Sequence, residues 1–153
     1  MSNNHETNHF GGNEQMSKTL KEIYEYDLIE DDGIDYTVDE WFNTIMEKTK
    51  DQLSVADVSR MLRQKICSRI AIKRAIEMLS DDPFTGEMFE GQLMFNLYKG
   101  KEKYLKLFYT QMAPVLEKAG LMAKCHKFGS NEEKEEYMSV IAKFAQKIKE
   151  DTT

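Results

Sequence analysis

Proline is nearly missing from this chain, with two in 153 residues. Proline is the residue that removes a backbone donor and clashes with the preceding helical turn, so little here interrupts helices. Cysteine is equally scarce. Cys67 and Cys125 do not form a CxxC pair, which excludes a disulfide framework and fits two reduced thiols, read as small, partly buried apolar residues. Histidine occurs three times. His5 and His9 sit four apart with Glu6 between them, but a metalloprotease pair needs a helix to bring both rings to one face. Their surroundings are polar, so they are read as tail residues. His126 adjoins Cys125, and neighbours in sequence cannot form a Cys–His dyad without outside help. Glycine patterns for phosphate or dinucleotide binding and the GxSxG nucleophile turn are absent. No apolar run reaches the roughly 18–20 residues needed to span a bilayer, and "MSNNHETNHFGGNEQ" has no basic start leading into an apolar stretch. A cytoplasmic, non-enzymatic protein without cofactor, metal or membrane is expected.

What is abundant is Leu, Met, Lys, Glu, Gln and Ala, all good helix formers. The spacing predicts an all-α fold, a compact irregular bundle of six or seven short helices spanning residues 16–153. Residues 1–15, polar throughout, are expected as a disordered tail. Leu20, Ile23 and Tyr24 start the helical pattern. Thr37 with Glu40 forms a capping box ahead of Trp41, Phe42, Ile45 and Met46. Ser54 opens a stripe of Val55, Val58, Leu62 and Ile66. Ile72, Ala75, Ile76 and Leu79 make another, with a break expected near residues 65–68. "QLMFNLYKG" reads as a short helix ended by Gly100. The stripe Tyr104, Leu105, Phe108, Met112, Val115 and Leu116 is expected to kink or break at Pro114 and end at Gly120. The last helix starts with a Ser130/Glu133 capping box and turns Tyr137, Val140, Ile141, Phe144 and Ile148 to the core.

Charge is unevenly spread. Residues 1–60 hold 14 Asp/Glu against 5 Lys/Arg, residues 61–110 hold 6 against 9, and residues 111–153 hold 7 of each. An acidic face disfavours nucleic acid and attracts basic partners. The acidic turn "EDDGIDYTVDE" fails as an EF-hand: counting back from Gly33 puts Leu28 where the first carboxylate ligand is required. A basic band runs through Arg60, Arg63, Lys65, Arg69, Lys73 and Arg74. In a chain of net charge −6 it reads as a solvated face or an internal partner of acidic helices, not as a nucleic-acid site.

One stretch departs from the Lys/Glu-rich pattern. "LSDDPFTGEMFEGQL", residues 79–93, packs a Pro, two Gly and acidic residues among Phe84, Met88, Phe89 and Leu93. Pro83 forces the preceding residue out of helical geometry, Gly86 and Gly91 allow turns, and Phe84, Met88 and Phe89 are expected to pin the corner to the core. The stretch also belongs to an ordered set: "SKTLKEIYE", then "LSVADVSRMLRQKI", then "AIEMLSDDPFTGEMFEGQLM". Over residues 17–98 this set resembles the immunity proteins of contact-dependent growth inhibition (CDI) systems of bacterial competition. The positions carrying it are Leu53, Ser54, Val55, Asp57, Val58, Met61, Leu62 and Gln64, then Ala75, Ile76, Glu77 and Leu79, then Asp82, Pro83, Gly86, Phe89, Gly91 and Leu93. An acidic residue often follows the last Gly in that pattern, where Gln92 stands here. The resemblance implies a toxin inhibitor that binds the C-terminal domain of a secreted toxin, commonly a nuclease, in the producing cell. The contact is expected at the acidic turn, Glu30, Asp31, Asp32 and Asp35 with Tyr36 beside them. A helical adaptor or regulatory subunit without a toxin partner is the alternative.

Overall fold

The computed structural model describes residues 18–27 and 40–152. The chain divides into two units, residues 1–54 and 55–153. Among the described residues every regular element is a helix, and one isolated β-bridge joins Thr19 to Thr49. The all-α expectation therefore holds.

In the first unit, α1 (Leu20–Asp27) is started by a reciprocal cap. The Glu22 backbone N–H donates to the Thr19 hydroxyl at 3.2 Å, and the Thr19 N–H donates to the Glu22 carboxylate at 2.9 Å. Two donors that a helix start leaves without partners are thereby satisfied. The second helix, α2 (Glu40–Met46), runs into a 3-10 turn at Lys50–Gln52. The Leu20 N–H donates to the Lys48 carbonyl at 2.8 Å, which ties the head of α1 to the tail of α2. Leu20, Ile45, Met46 and Leu53 are buried, while Trp41 and Phe42 are half-buried. Thr37, the expected cap of α2, lies outside the described residues.

The second unit begins with α3 (Val55–Gln64) and α4 (Ser68–Asp81), packed against each other. The expected break falls between them. The Ile66 N–H reaches back to the Met61 carbonyl and the Lys65 N–H to that of Leu62, the pattern of a Schellman stop. Lys65 takes the left-handed conformation at φ 57°, a position usually filled by glycine. Its ammonium donates to the Lys99 carbonyl at 3.2 Å. Val58, Leu62 and Ile66 of the α3 stripe are buried, as are Ile72, Ala75, Ile76 and Leu79 of α4. Each Val, Leu or Ile among them contributes about 1.5–3 kcal/mol on burial.

Helix α5 (Gln92–Tyr98) is the hub, contacting α3, α4 and the C-terminal helix. Gln92, Leu93, Met94, Asn96 and Leu97 are buried and Phe95 looks outward. The single turn α6 (Glu102–Leu105) and a 3-10 turn, Lys106–Phe108, lead into α7 (Tyr109–Ala123). Here the structure corrects two expectations. Pro114 does not break the helix, which runs through it; the interruption comes earlier, in the 3-10 turn. The carbonyl that Pro114 deprives of its partner belongs to Thr110, which is exposed, so water can serve it. Gly120 is not the stop either. The helix continues to Ala123, and a Cβ at Gly120 would meet only the Ile141 Cγ2 at 3.8 Å. The glycine lies on the face where α7 meets α8 (Asn131–Thr152). The start of α8 follows the expected cap in part. The Glu133 N–H donates to the Ser130 hydroxyl at 3.1 Å, but the Glu133 carboxylate takes the Gly129 N–H at 3.0 Å in place of that of Ser130. Tyr137, Ile141 and Phe144 are buried; Val140 and Ile148 are half-buried.

Candidate functional site

The corner between α4 and α5 is built almost entirely from hydrogen bonds to backbone. Asp82 ends α4, and its carboxylate accepts the Phe84 N–H at 3.0 Å while its carbonyl accepts that of Thr85 at 3.2 Å. With Pro83 between, this is an Asp-Pro turn, in which proline's fixed φ suits the second position. The chain then folds back on itself. The Phe84 carbonyl accepts the Gly91 N–H at 2.8 Å, and the Thr85 carbonyl accepts that of Leu93 at 3.2 Å. Inside the loop, the buried Gln92 amide oxygen accepts the N–H groups of Glu87 and Met88 at 2.9 and 2.8 Å. A carboxylate at that position would accept the same two bonds, so glutamine preserves the loop chemistry. Gly86 is required because a Cβ there would collide with the Phe89 carbonyl. Gly91 is required because its φ is +84° and a Cβ would come within 2.6 Å of the Tyr137 ring.

Aromatic rings seal this corner from the other side. Phe84 is buried and stacks on the His126 imidazole, with centroids 3.8 Å apart and planes 13° from parallel. Phe128 and Tyr137 close around it at 5.5 and 5.1 Å. The Tyr137 hydroxyl donates to the Pro83 carbonyl at 2.7 Å, and His126 Nε2 lies 3.0 Å from a Glu90 carboxylate oxygen. Burial, followed by the nearby Asp82 charge, pushes the Tyr137 phenol well above its ordinary range. Sequence reasoning set His126 aside beside Cys125; its partners, Phe84 and Glu90, are too distant in sequence to be read from spacing. Of the three side chains expected to pin the corner, only Phe84 does so. Met88 is 76% exposed and Phe89 53% exposed, because the loop bonds that fix residues 85–92 turn them outward.

Phe89, but not Met88, borders an open groove of about 820 Å³ between α5 and α8. Phe89, Phe95, Gly91, Tyr137 and Val140 supply its apolar surface, and Phe89 and Phe95 meet edge to face at 6.5 Å. Its rim carries Glu90, Glu132, Glu133, Glu135 and Glu136, against the single cation Lys143. The sequence signal for it was the acidic opening of the last helix, which also complements the helix dipole.

The other sequence candidates distribute differently. Glu30, Asp31, Asp32, Asp35 and Tyr36, and with them the acidic turn tested for calcium, lie outside the described residues, as do His5, Glu6 and His9. The basic band does not present one continuous free surface. Arg74 pairs with Glu77 at 3.0 Å, the Arg69 guanidinium lies 5.7 Å from the Tyr104 ring centroid, and Lys65 caps the end of α5. Cys67 is half-buried as expected, but Cys125 is exposed, because it follows the end of α7. Among the described residues no group of three or more His, Cys, Asp and Glu is placed to hold a metal ion, and no helix is long and apolar enough to cross a membrane.

The fold and this corner define an all-helical protein in which Asp82, Gly86, Gly91 and Leu93 serve the protein's own architecture, with an acidic, aromatic-floored groove beside them. The chain belongs to the family of CDI immunity proteins, whose profile matches residues 20–115. The match takes in the whole corner and ends within α7, so α8 lies beyond it. No curated protein and no solved structure matches the chain.

Proposed function

We propose that this protein binds and neutralises the C-terminal domain of a cognate secreted toxin, a nuclease, in the cytoplasm of the cell that makes both. Family membership over residues 20–115 carries this reading. The function is inhibition by occupancy, which asks for a tight complementary surface and no catalytic group. The nuclease assignment draws on charge: enzymes that grip phosphate backbones present basic surfaces, and an acidic inhibitor gains association rate and specificity against them. The acidic surplus of residues 1–60 suits that role. Glu30, Asp31, Asp32 and Asp35, with Tyr36, are proposed as a steering contact that accelerates encounter.

The test is co-expression with the C-terminal domain of a large secreted protein encoded beside this one, where the genome holds such a neighbour, read as survival of the host cells, followed by association kinetics at low and high salt. Survival with the immunity protein and death without it is expected. Replacing Glu30, Asp31, Asp32 and Asp35 by Asn or Gln should leave stability nearly unchanged. It should slow association and flatten its salt dependence, because long-range steering is what salt screens. Failure to protect at any expression level, with no complex formed, would remove the toxin reading. Unchanged association rates would remove the acidic turn alone.

A further inference from the structure

The α5–α8 groove combines features that folding by itself does not account for. Two of its aromatic residues are exposed, Phe89 at 53% and Phe95 at 37%, although neighbouring Phe84 shows that the same loop can bury a ring. Its carboxylates are also placed at some cost to α8. Acidic residues in the first turn answer the helix dipole, which explains Glu132 and Glu133. Glu135 and Glu136 lie past that turn, and Glu136 stands four residues from Glu132, a like-charge spacing that weakens a helix slightly. Among the described residues Glu132, Glu135 and Glu136 are exposed and form no ion pair, so their charge is open to an incoming partner. Phe89 and Phe95 fall within the family match and α8 falls outside it.

We propose that this groove seats a cationic, amphipathic segment of the toxin, resting on the function proposed above. An apolar side chain of that segment enters between Phe89, Phe95 and Val140, while flanking Lys or Arg groups meet Glu132, Glu135 and Glu136. The α8 wall from Glu132 to Lys143, acidic over its first five residues, spans about 16 Å, room for three turns of a helix or about five extended residues. Lys143 at the far end gives the groove a sense: the segment enters with its basic end toward the start of α8. Aromatic residues inside a polar rim are the usual composition of a protein interface. A second copy of this chain is a poorer occupant, since its own groove presents the same excess of negative charge.

The probe is the toxin C-terminal domain used for the co-expression test. The variants are Phe89→Ser, alone and with Phe95→Ser, and the charge reversal Glu132→Lys/Glu135→Lys/Glu136→Lys. Leu107→Ser and Leu121→Ser are controls, being similarly exposed apolar residues outside the groove. Thermal melting of every variant verifies folding. The expected result is a loss of affinity of roughly thirtyfold or more for the Phe pair and for the charge reversal, the scale of a hot-spot deletion. Host-cell protection should fall in parallel, and the controls should leave both unchanged. Wild-type protection retained by folded groove variants at unchanged affinity would overturn the groove while leaving the toxin reading intact. Absence of protection by the wild type would overturn both. Self-association of the wild type that disappears in the same variants would assign the groove to a second copy and overturn the proposal.

Discussion

Phe84 and Phe89 stand five residues apart in one loop, and truncating each should have opposite consequences. Phe84 is 7% exposed and sits against His126, Phe128 and Tyr137. A buried phenyl side chain removes about 150–250 Å² from water. Alanine keeps only the Cβ part of it, so roughly 120–160 Å² is forfeited. At about 25 cal/mol per Å² this is about 3–4 kcal/mol, an upper estimate because unfolded chains already hide some surface. The rings around the hole are held by the Tyr137–Pro83 bond and the Glu90–His126 contact, so collapse is limited and a cavity contribution adds to the loss. Phe84→Ala should therefore destabilise the second unit by about 3–5 kcal/mol. For a unit of this size, with about 4–8 °C lost per kcal/mol, the melting temperature should fall by about 12 °C or more. Phe89 is half in solvent, with an edge contact to Phe95, and Phe89→Ala should cost under about 1 kcal/mol. The assay is urea unfolding followed by far-ultraviolet circular dichroism, reading the midpoint at constant slope. Equal midpoint shifts for the two variants, or a larger one for Phe89→Ala, would refute the assignment of which ring holds the corner.

Two glycine-to-alanine changes should differ in sign. Gly91→Ala forces a Cβ into the left-handed region and against Tyr137, costing about 2–3 kcal/mol, whereas Gly120→Ala meets only Ile141 at 3.8 Å inside a helix and should gain about 0.5–1 kcal/mol. Thermal melts of both variants decide this, and a stabilising Gly91→Ala would contradict the close approach. Tyr137→Phe leaves the buried Pro83 carbonyl without its donor and should cost about 1–3 kcal/mol in denaturant titrations at neutral pH. Because the folded-state Tyr137 pKa is raised, the unfolded chain loses this proton first as pH rises past about 10, so stability is full below that pH and falls above it. The variant should lose part of that alkaline slope, and an identical slope between pH 9 and 11 would exclude Tyr137 as its source. Truncating both Phe84 and His126 to alanine should give a coupling of about 0.5–1.5 kcal/mol in a double-mutant cycle, and additive losses would mean that the stack contributes nothing beyond burial.

The sequence by itself determined what depends on local physics. Helical periodicity placed Val58, Leu62 and Ile66, and Ile72, Ala75, Ile76 and Leu79, on buried faces, because a stripe at 3.6-residue spacing can be hidden only against another element. It also located the break after Gln64 and the Ser130 cap, and the ordered motifs pointed to the CDI immunity family. Tertiary structure decided the rest. Pro114 and Gly120 carried strong local stop signals, yet one freed carbonyl could face water and the other position lay against Ile141. Neither fact is encoded within a few residues of the site. Phe84 and Phe89 look alike in sequence, and their fates were set by Gln92 holding the loop and by rings from residues 126–137. The groove draws Phe89 and Phe95 together with Glu132, Glu135 and Glu136, about forty residues further on. Periodicity reports which face of a helix is apolar; it carries no information about which distant face it meets, because that is settled by complementary packing over the whole unit.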